Sequence, residues 1–222
     1  MSKAFFVTAT GTGIGKTHVS CGLIRHWRQA GREARALKPV VSGFDMEDAE
    51  TDSHKLLWAM EEEETPQAFD AISPWRFEAP LSPDVAAARE GLEIDIHALD
   101  RFCLHAIAGN RGRLLIEGIG GAFVPLNERK LVADWIKALD IPAVLVTGSY
   151  LGTLSHTIAT MEALGKRNVF VSALVISESP DSPMPLAETQ AALAAHLPPV
   201  PIVVLPREAD GEAIATLADI LD

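Results

Sequence analysis

Short unbroken apolar runs alternate with amphipathic stretches along the chain. Ala4–Thr8 (AFFVT) has the continuous apolar character of a strand buried on both faces. Lys16–Ala30 changes to helical spacing, with Val19, Leu23 and Trp27 on one face, and Gly31 terminates it. Ala34–Val41 predicts a second strand, and Leu114–Ile116, Ala143–Val146, Val169–Ile176 and Val200–Leu205 predict more. Between them lie helical patterns at Ser53–Met60, Ile96–Ala108, Val132–Leu139, Thr153–Gly165, Pro185–Leu197 and Glu208–Leu221. This alternation predicts an α/β fold in three layers, a mostly parallel central sheet with helices on both faces. The Pro-containing stretch Ser73–Pro83 reads as a loop, and no fixed repeat divides the chain, so residues 1–222 are expected to form one domain.

Composition narrows the function classes. The 222 residues are 48% hydrophobic and 22% charged, which argues against disorder. A net charge of −11 argues against binding nucleic acid over a broad surface. Two cysteines make no disulfide framework, and the seven histidines lack zinc-ligand spacing. The longest uncharged run, Ile141–Met161, is broken by Thr147, Gly148, Ser149, Gly152, Ser155 and His156, so it predicts strand, loop and helix rather than a membrane span. No apolar stretch of signal-peptide length opens the chain, and a cytoplasmic protein with neither membrane nor nucleic-acid partner is expected. The acidic runs Asp45–Asp52 and Glu61–Glu64 read as solvated charge, Asp52 excepted.

The strongest local signal is Thr8-Ala9-Thr10-Gly11-Thr12-Gly13-Ile14-Gly15-Lys16-Thr17, between a predicted strand and a predicted helix. That is the setting of a phosphate-binding loop. Glycines let successive N–H groups point inward, and the helix N-terminus adds a positive dipole end. Lys16 would reach the β- and γ-phosphates and Thr17 would ligate Mg²⁺. The loop is a variant, with Thr10 where the strict pattern has glycine. It lacks the GxGxxG spacing of a dinucleotide site. Partitioning and membrane-targeting ATPases carry a second lysine early in this loop, where Gly11 stands here.

Further candidates fall after predicted strands, where open parallel sheets bind ligands. Lys38-Pro39-Val40-Val41-Ser42-Gly43 closes the second strand. Lys38 is either a surface lysine or a rigidly held partner for a phosphoryl or carbamate anion. Ser42 is either a turn residue or a substrate contact. Asp52 is either a helix N-cap or a Mg²⁺ ligand. Glu117, in Glu117-Gly118-Ile119-Gly120-Gly121, ends an apolar strand as a Walker-B acid does, or serves as an ion-pair partner.

Taken in order, the glycine loop ending Gly15-Lys16-Thr17, Lys38-Pro39-Val-x-Ser42-Gly43, Asp52, Glu117-Gly-x-Gly-Gly, Ala133-Asp134-Trp135 and Leu151-Gly152 resemble the dethiobiotin synthetase family, over residues 4 to about 178. The resemblance implies a P-loop NTPase fold with about seven parallel strands and a homodimer. It implies the co-substrate ATP, Mg²⁺, and ring closure of 7,8-diaminononanoate with CO₂ (from bicarbonate) through a carbamate and a carbamic–phosphoric anhydride. It places ATP phosphates on Gly13, Ile14, Gly15, Lys16, Thr17 and His18. Mg²⁺ falls to Thr17, Asp52 and Glu117, and further nucleotide contacts to Gly118, Ile119 and Gly120. Ser177, Glu178, Leu205, Pro206 and Arg207 flank the base. Lys38, Lys16 and Thr12 are the implied catalytic residues. Thr12, Lys38 and Ser42 meet the diamine or carbamate, and Gly152, Thr153, Leu154 and Ser155 take the substrate carboxylate from the neighbouring subunit. Ala9, Gly11, Tyr150, Ser155 and Ser177 depart from the family pattern. Ser177 replaces an asparagine that reads adenine, which predicts weak base discrimination. The alternatives are a related P-loop amidoligase, such as a corrinoid amide synthase, or a nucleotide-switched partner protein that makes no product. The chain shows no glutaminase triad for the former and lacks the second lysine for the latter.

Overall fold

A computed structural model describes residues 3–208 and 210–222. Its strands are β1 (Lys3–Ala9), β2 (Ala34–Leu37), β3 (Val40–Ser42), β4 (Trp75–Phe77), β5 (Arg113–Glu117), β6 (Ala143–Gly148), β7 (Val171–Ser177) and β8 (Ile202–Leu205). The helices are α1 (Lys16–Gln29), α2 (Asp52–Ala59), α3 (Pro66–Ile72), α4 (Pro83–Arg89), α5 (Ile96–Gly109), α6 (Val132–Leu139), α7 (Thr153–Lys166), α8 (Leu186–His196) and α9 (Gly211–Leu221). Six strands make the main sheet in the order β2-β5-β1-β6-β7-β8, every pair parallel. All six residues of β6 are buried. Because neighbouring side chains in a strand point to opposite faces, both faces of the sheet are covered there. α1 lies against β1, β2 and β5 with α2 and α9 beside it, while α5 packs on α6 and α7 on α8.

The main sheet has six strands, not the seven expected. The stretch Ala34–Val41, expected as one strand, breaks at Lys38-Pro39, because Pro39 has no N–H to donate to the ladder. Beyond it β3 pairs with β4 in a separate two-stranded sheet. Ser73–Pro83 is therefore more than a loop. It holds β4 and lies between α3 and α4, each of which opens with proline in its first turn, after Thr65 and Ser82. The Ala133-Asp134-Trp135 motif is structural. Asp134 Oδ2 accepts from Leu131 N at 2.9 Å and caps α6. Trp135 meets Phe6 edge to face, ring centroids 4.8 Å apart.

Parallel pairing puts the carboxyl ends of all six strands on one edge. That edge carries the residue 10–15 loop after β1, Lys38 after β2, Glu117 at the end of β5, the turn before α7 after β6, Ser177 ending β7 and Leu205 ending β8. No helix among the described residues is long and apolar enough to cross a membrane.

Candidate active site

The loop after β1 leaves the sheet at Thr10, whose N–H donates to the Val146 carbonyl at 3.0 Å. Gly13 (φ 70°) and Gly15 (φ 103°) turn it back into α1. Only glycine suits position 15. Its φ is left-handed, and a Cβ there would lie 2.6 Å from Ser177 Oγ. The first turn of α1 has no acidic residue, so nothing on the helix neutralises its positive end. Lys16, 6% exposed, donates to the Gly120 carbonyl at 2.8 Å. Burial, with the Lys38 cation adding to it, pulls the Lys16 ammonium down to about 8.

A charged cluster lies beneath this loop. Leu37 pairs with Ile116 across β2 and β5, so the next residues, Lys38 and Glu117, emerge side by side. Lys38 Nζ is 2.7 Å from Glu117 Oε1 and 2.8 Å from Asp52 Oδ2, and donates to the Gly118 carbonyl at 2.9 Å. Lys38 is 2% exposed and Glu117 is fully buried, which rules out the surface-lysine reading. Asp52 reaches the cluster from the first residue of α2. It is not the N-cap, since Thr51 holds that position and its hydroxyl is spent on His54 Nδ1 at 2.5 Å. Burial pushes the Lys38 ammonium down, but the Glu117 and Asp52 carboxylates outweigh it and hold its pKa above the ordinary lysine value. Burial likewise pushes the Asp52 carboxyl up, and the Lys38 ammonium overrides it, leaving Asp52 at about 2.

Thr17 Oγ1 lies 2.7 Å from both Asp52 Oδ1 and Glu117 Oε1, though it has one proton to give. Glu117 Oε2 is buried with no hydrogen-bond partner. A hydroxyl, two carboxylates and an orphaned carboxylate oxygen form a hard-oxygen donor set suited to Mg²⁺, which binds through one or two carboxylates and completes its shell with phosphate and water.

Above the cluster opens a cleft of about 720 Å³. Thr12, Gly13, Ile14, Gly15, Lys16, Thr17, His18, Lys38, Ser42, Asp52, Ile119, Gly120, Ser177, Glu178, Leu205, Pro206 and Arg207 line it, all expected from the sequence. Glu117 and Gly118 stand behind its wall, joined to it through Lys38. At the far end the Glu178 carboxylate accepts from Arg207 N at 2.9 Å, and Glu178 N donates to the Leu205 carbonyl at 2.9 Å. His18 Nε2 is 2.8 Å from Asp210 Oδ2.

Gly152, Thr153, Leu154 and Ser155 are not part of this cleft; they form the start of α7. Gly152 (φ 98°) is its N-cap, Leu154 packs on the core, and Ser155 is exposed. The Thr153 hydroxyl donates to the Gly148 carbonyl at 2.6 Å. Beside it Tyr150 Oη lies 2.9 Å from His156 Nδ1.

The sequence reading missed Cys21, Arg25, Lys55 and Trp58, which line the near wall. The signal was there. Thr17, Cys21 and Arg25 recur every four residues and Asp52, Lys55 and Trp58 every three, so each set shares a helix face with a site residue. The Arg25 guanidinium sits 5.4 Å from the Trp58 ring centre. Burial raises the Cys21 thiol to about 12, so it is no nucleophile.

Comparison with known proteins adds a family model described as an AAA domain, which matches residues 3–212. The ATP-dependent dethiobiotin synthetase BioD of Acidiphilium cryptum (strain JF-5) is 49% identical over 199 residues, 89% of each chain. That of Caulobacter sp. (strain K31) is 46% identical over 221 residues, 97% of this chain and 93% of its own. Among solved structures, the MinC:MinD cell division protein complex of Aquifex aeolicus matches with a TM-score of 0.62 at 12% identity, over 99% of this chain and 95% of that one. The septum site-determining protein MinD of Pyrococcus horikoshii OT3 with Mg-ADP matches with a TM-score of 0.58 at 17% identity, over 100% and 96%. At such identity the structures share the fold alone.

Proposed function

The chain belongs to the ATP-dependent dethiobiotin synthetases, and from that membership we propose which of its residues perform each part of the reaction. The enzyme is a ligase that closes the ureido ring with ATP in biotin biosynthesis, on a P-loop NTPase fold. The diamine is 7,8-diaminononanoate and the carbon comes from CO₂. One amine takes up CO₂ as a carbamate. The carbamate oxygen attacks the γ-phosphorus and releases ADP. The second amine then attacks the carbamate carbon, closes the ring and expels phosphate. Positioning and charge neutralisation supply most of the catalysis in such phosphoryl transfers.

The amides of Gly13 to His18 and the Lys16 ammonium hold the phosphates. Thr17, Asp52 and Glu117 would hold Mg²⁺, which would supply positive charge against the nucleotide's phosphates. Lys38 faces the carbamate, and Thr12 and Ser42 orient the reacting amines. The open first turn of α7, free of acidic residues, takes the substrate's carboxylate, lent by one subunit of a cytoplasmic homodimer to the other. The observation that carries this reading is the Lys38–Asp52–Glu117–Thr17 cluster, with Lys38 and Glu117 buried, beneath a phosphate loop. The test is ATP hydrolysis with bicarbonate and Mg²⁺, with and without 7,8-diaminononanoate, with mass detection of the cyclic urea. Phosphate release that requires the diamine and yields that product is the expected result; hydrolysis indifferent to the diamine would overturn it.

Two further outcomes follow from the cleft. Lys16 binds phosphate as a cation, and in the free enzyme it loses its proton near pH 8. Nucleotide affinity is therefore full below about pH 8 and falls as pH rises through it, by up to about tenfold per unit. Calorimetric titration of ADP from pH 6.5 to 9.5 reads the slope, and a flat profile would detach Lys16 from the phosphates. At the base end, Ser177 offers one hydroxyl, and the Glu178 carboxylate already accepts from the Arg207 N–H. Turnover with CTP is expected within about tenfold of that with ATP, since a lone hydroxyl discriminates weakly. Strict ATP dependence, measured as kcat/KM for each nucleotide, would assign base reading to other groups.

A further inference from the structure

Four threonines join the two ligand-binding turns. Ala9 pairs with Val146 in the sheet, so Thr10, just past β1, and Thr147, on β6, emerge as neighbours. Their hydroxyl oxygens are 3.1 Å apart. Thr147 Oγ1 also lies 3.0 Å from Thr153 Oγ1 and 2.7 Å from Thr157 Oγ1, both in the first turns of α7. Thr147 and Thr157 are fully buried and Thr153 is 3% exposed.

Counting protons orients the whole set. A hydroxyl has one proton and two lone pairs. The Thr153 proton goes to the Gly148 carbonyl, so Thr153 accepts from Thr147. The Thr147 proton is thereby used, and both Thr10 and Thr157 donate into its lone pairs. Thr147 is saturated, and its hydroxyl touches both the residue where the phosphate loop leaves the sheet and the residue where α7 begins. The loop cannot shift without breaking the half-buried Thr10–Thr147 bond, nor can α7 shift without breaking the buried bonds that join Thr147 to Thr153 and Thr157.

We propose that Thr147 is a positioning residue that sets the phosphate loop and the first turn of α7 as one unit, so that a nucleotide on one subunit and the diamine whose carboxylate that subunit's α7 takes in its neighbour's site strengthen each other's binding. The inference rests on the reading above, in which α7 takes the diamine's carboxylate. Thr147→Val keeps the branched shape and removes the hydroxyl. Thr10→Val cuts only the link to the loop. Thr157→Val removes a partner outside the path, and Thr147→Ser restores the hydroxyl.

The test is the dissociation constant of a non-hydrolysable ATP analogue, measured by calorimetry with and without saturating 7,8-diaminononanoate. The wild type is expected to bind the analogue roughly fivefold or more tightly with the diamine present. That ratio should fall toward one in Thr147→Val and Thr10→Val and persist in Thr147→Ser and Thr157→Val, whatever happens to melting temperature. If Thr147→Val does not fold, Thr10→Val carries the same prediction. A ratio of one in the wild type, a ratio kept in Thr147→Val or Thr10→Val, or an equal loss in Thr157→Val would overturn the inference alone. A wild type that makes no cyclic urea would remove the functional reading and this inference with it.

Discussion

Lys38→Ala is expected to lower turnover by about a thousandfold, the scale for losing a fixed charge aimed at a developing anion, while nucleotide affinity stays within a few-fold. The Lys38 ammonium is 2% exposed and lies between Asp52 and Glu117, so its position is set by the fold rather than by solvent. The phosphates have Lys16 and the loop amides without it. On the proposed reading Lys38 is the cation assigned to the carbamate, as Lys16 is to the phosphates. The substitution also strips the fully buried Glu117 of its ion-pair partner, which costs about 3–5 kcal/mol of stability. Asp52 is partly solvated and loses less. Phosphate-release kinetics, ADP calorimetry and urea unfolding separate these effects, and a variant with a near-normal rate would remove Lys38 from the chemistry.

Glu117→Gln is expected to raise the Mg²⁺ concentration for half-maximal activity by about tenfold or more, since one of two carboxylate charges at the cation is lost. Turnover should fall by about a hundredfold or more as the charges around the phosphates lose their balance. The fold should survive, because glutamine has the same shape and β5 is held on both sides by β1 and β2. Mn²⁺ binding followed by electron paramagnetic resonance gives the metal affinity directly, and circular dichroism checks the fold. An unchanged metal titration would leave Glu117 as the partner of Lys38 and nothing more.

The sheet was legible in the sequence because strands buried on both faces are uninterrupted apolar runs, as in β1 and β6. The site was legible because Lys38, Glu117 and the glycine loop each follow such a run, and parallel pairing brings strand ends together. What escaped was short or silent. α3, α4 and β4 span seven, seven and three residues, too few for a periodic pattern, although Thr65-Pro66 and Ser82-Pro83 mark the helix starts. The departure of β3 from the main sheet follows from Pro39, which reads locally as a rigid strand end rather than a change of sheet. In the threonine set, Thr153 and Thr157 share a face of α7 by their spacing, but Thr10 and Thr147 meet only through strand register, which local sequence does not show. Asp134, one of the residues that carry the family resemblance, is a helix cap.

With Lys16 holding the phosphates as proposed, its bond to the Gly120 carbonyl gives nucleotide capture the character of an exchange. An incoming phosphate draws the ammonium away from an acceptor it already has, so only the difference between two charge-assisted hydrogen bonds counts toward affinity. The freed carbonyl belongs to the glycine turn after Glu117, which then loses one of its ties to α1. Departure of ADP runs the same swap in reverse, with Gly120 ready to take the lysine back. A catalyst that must shed its spent nucleotide in every cycle thereby carries its own displacing group, tethered inside the pocket.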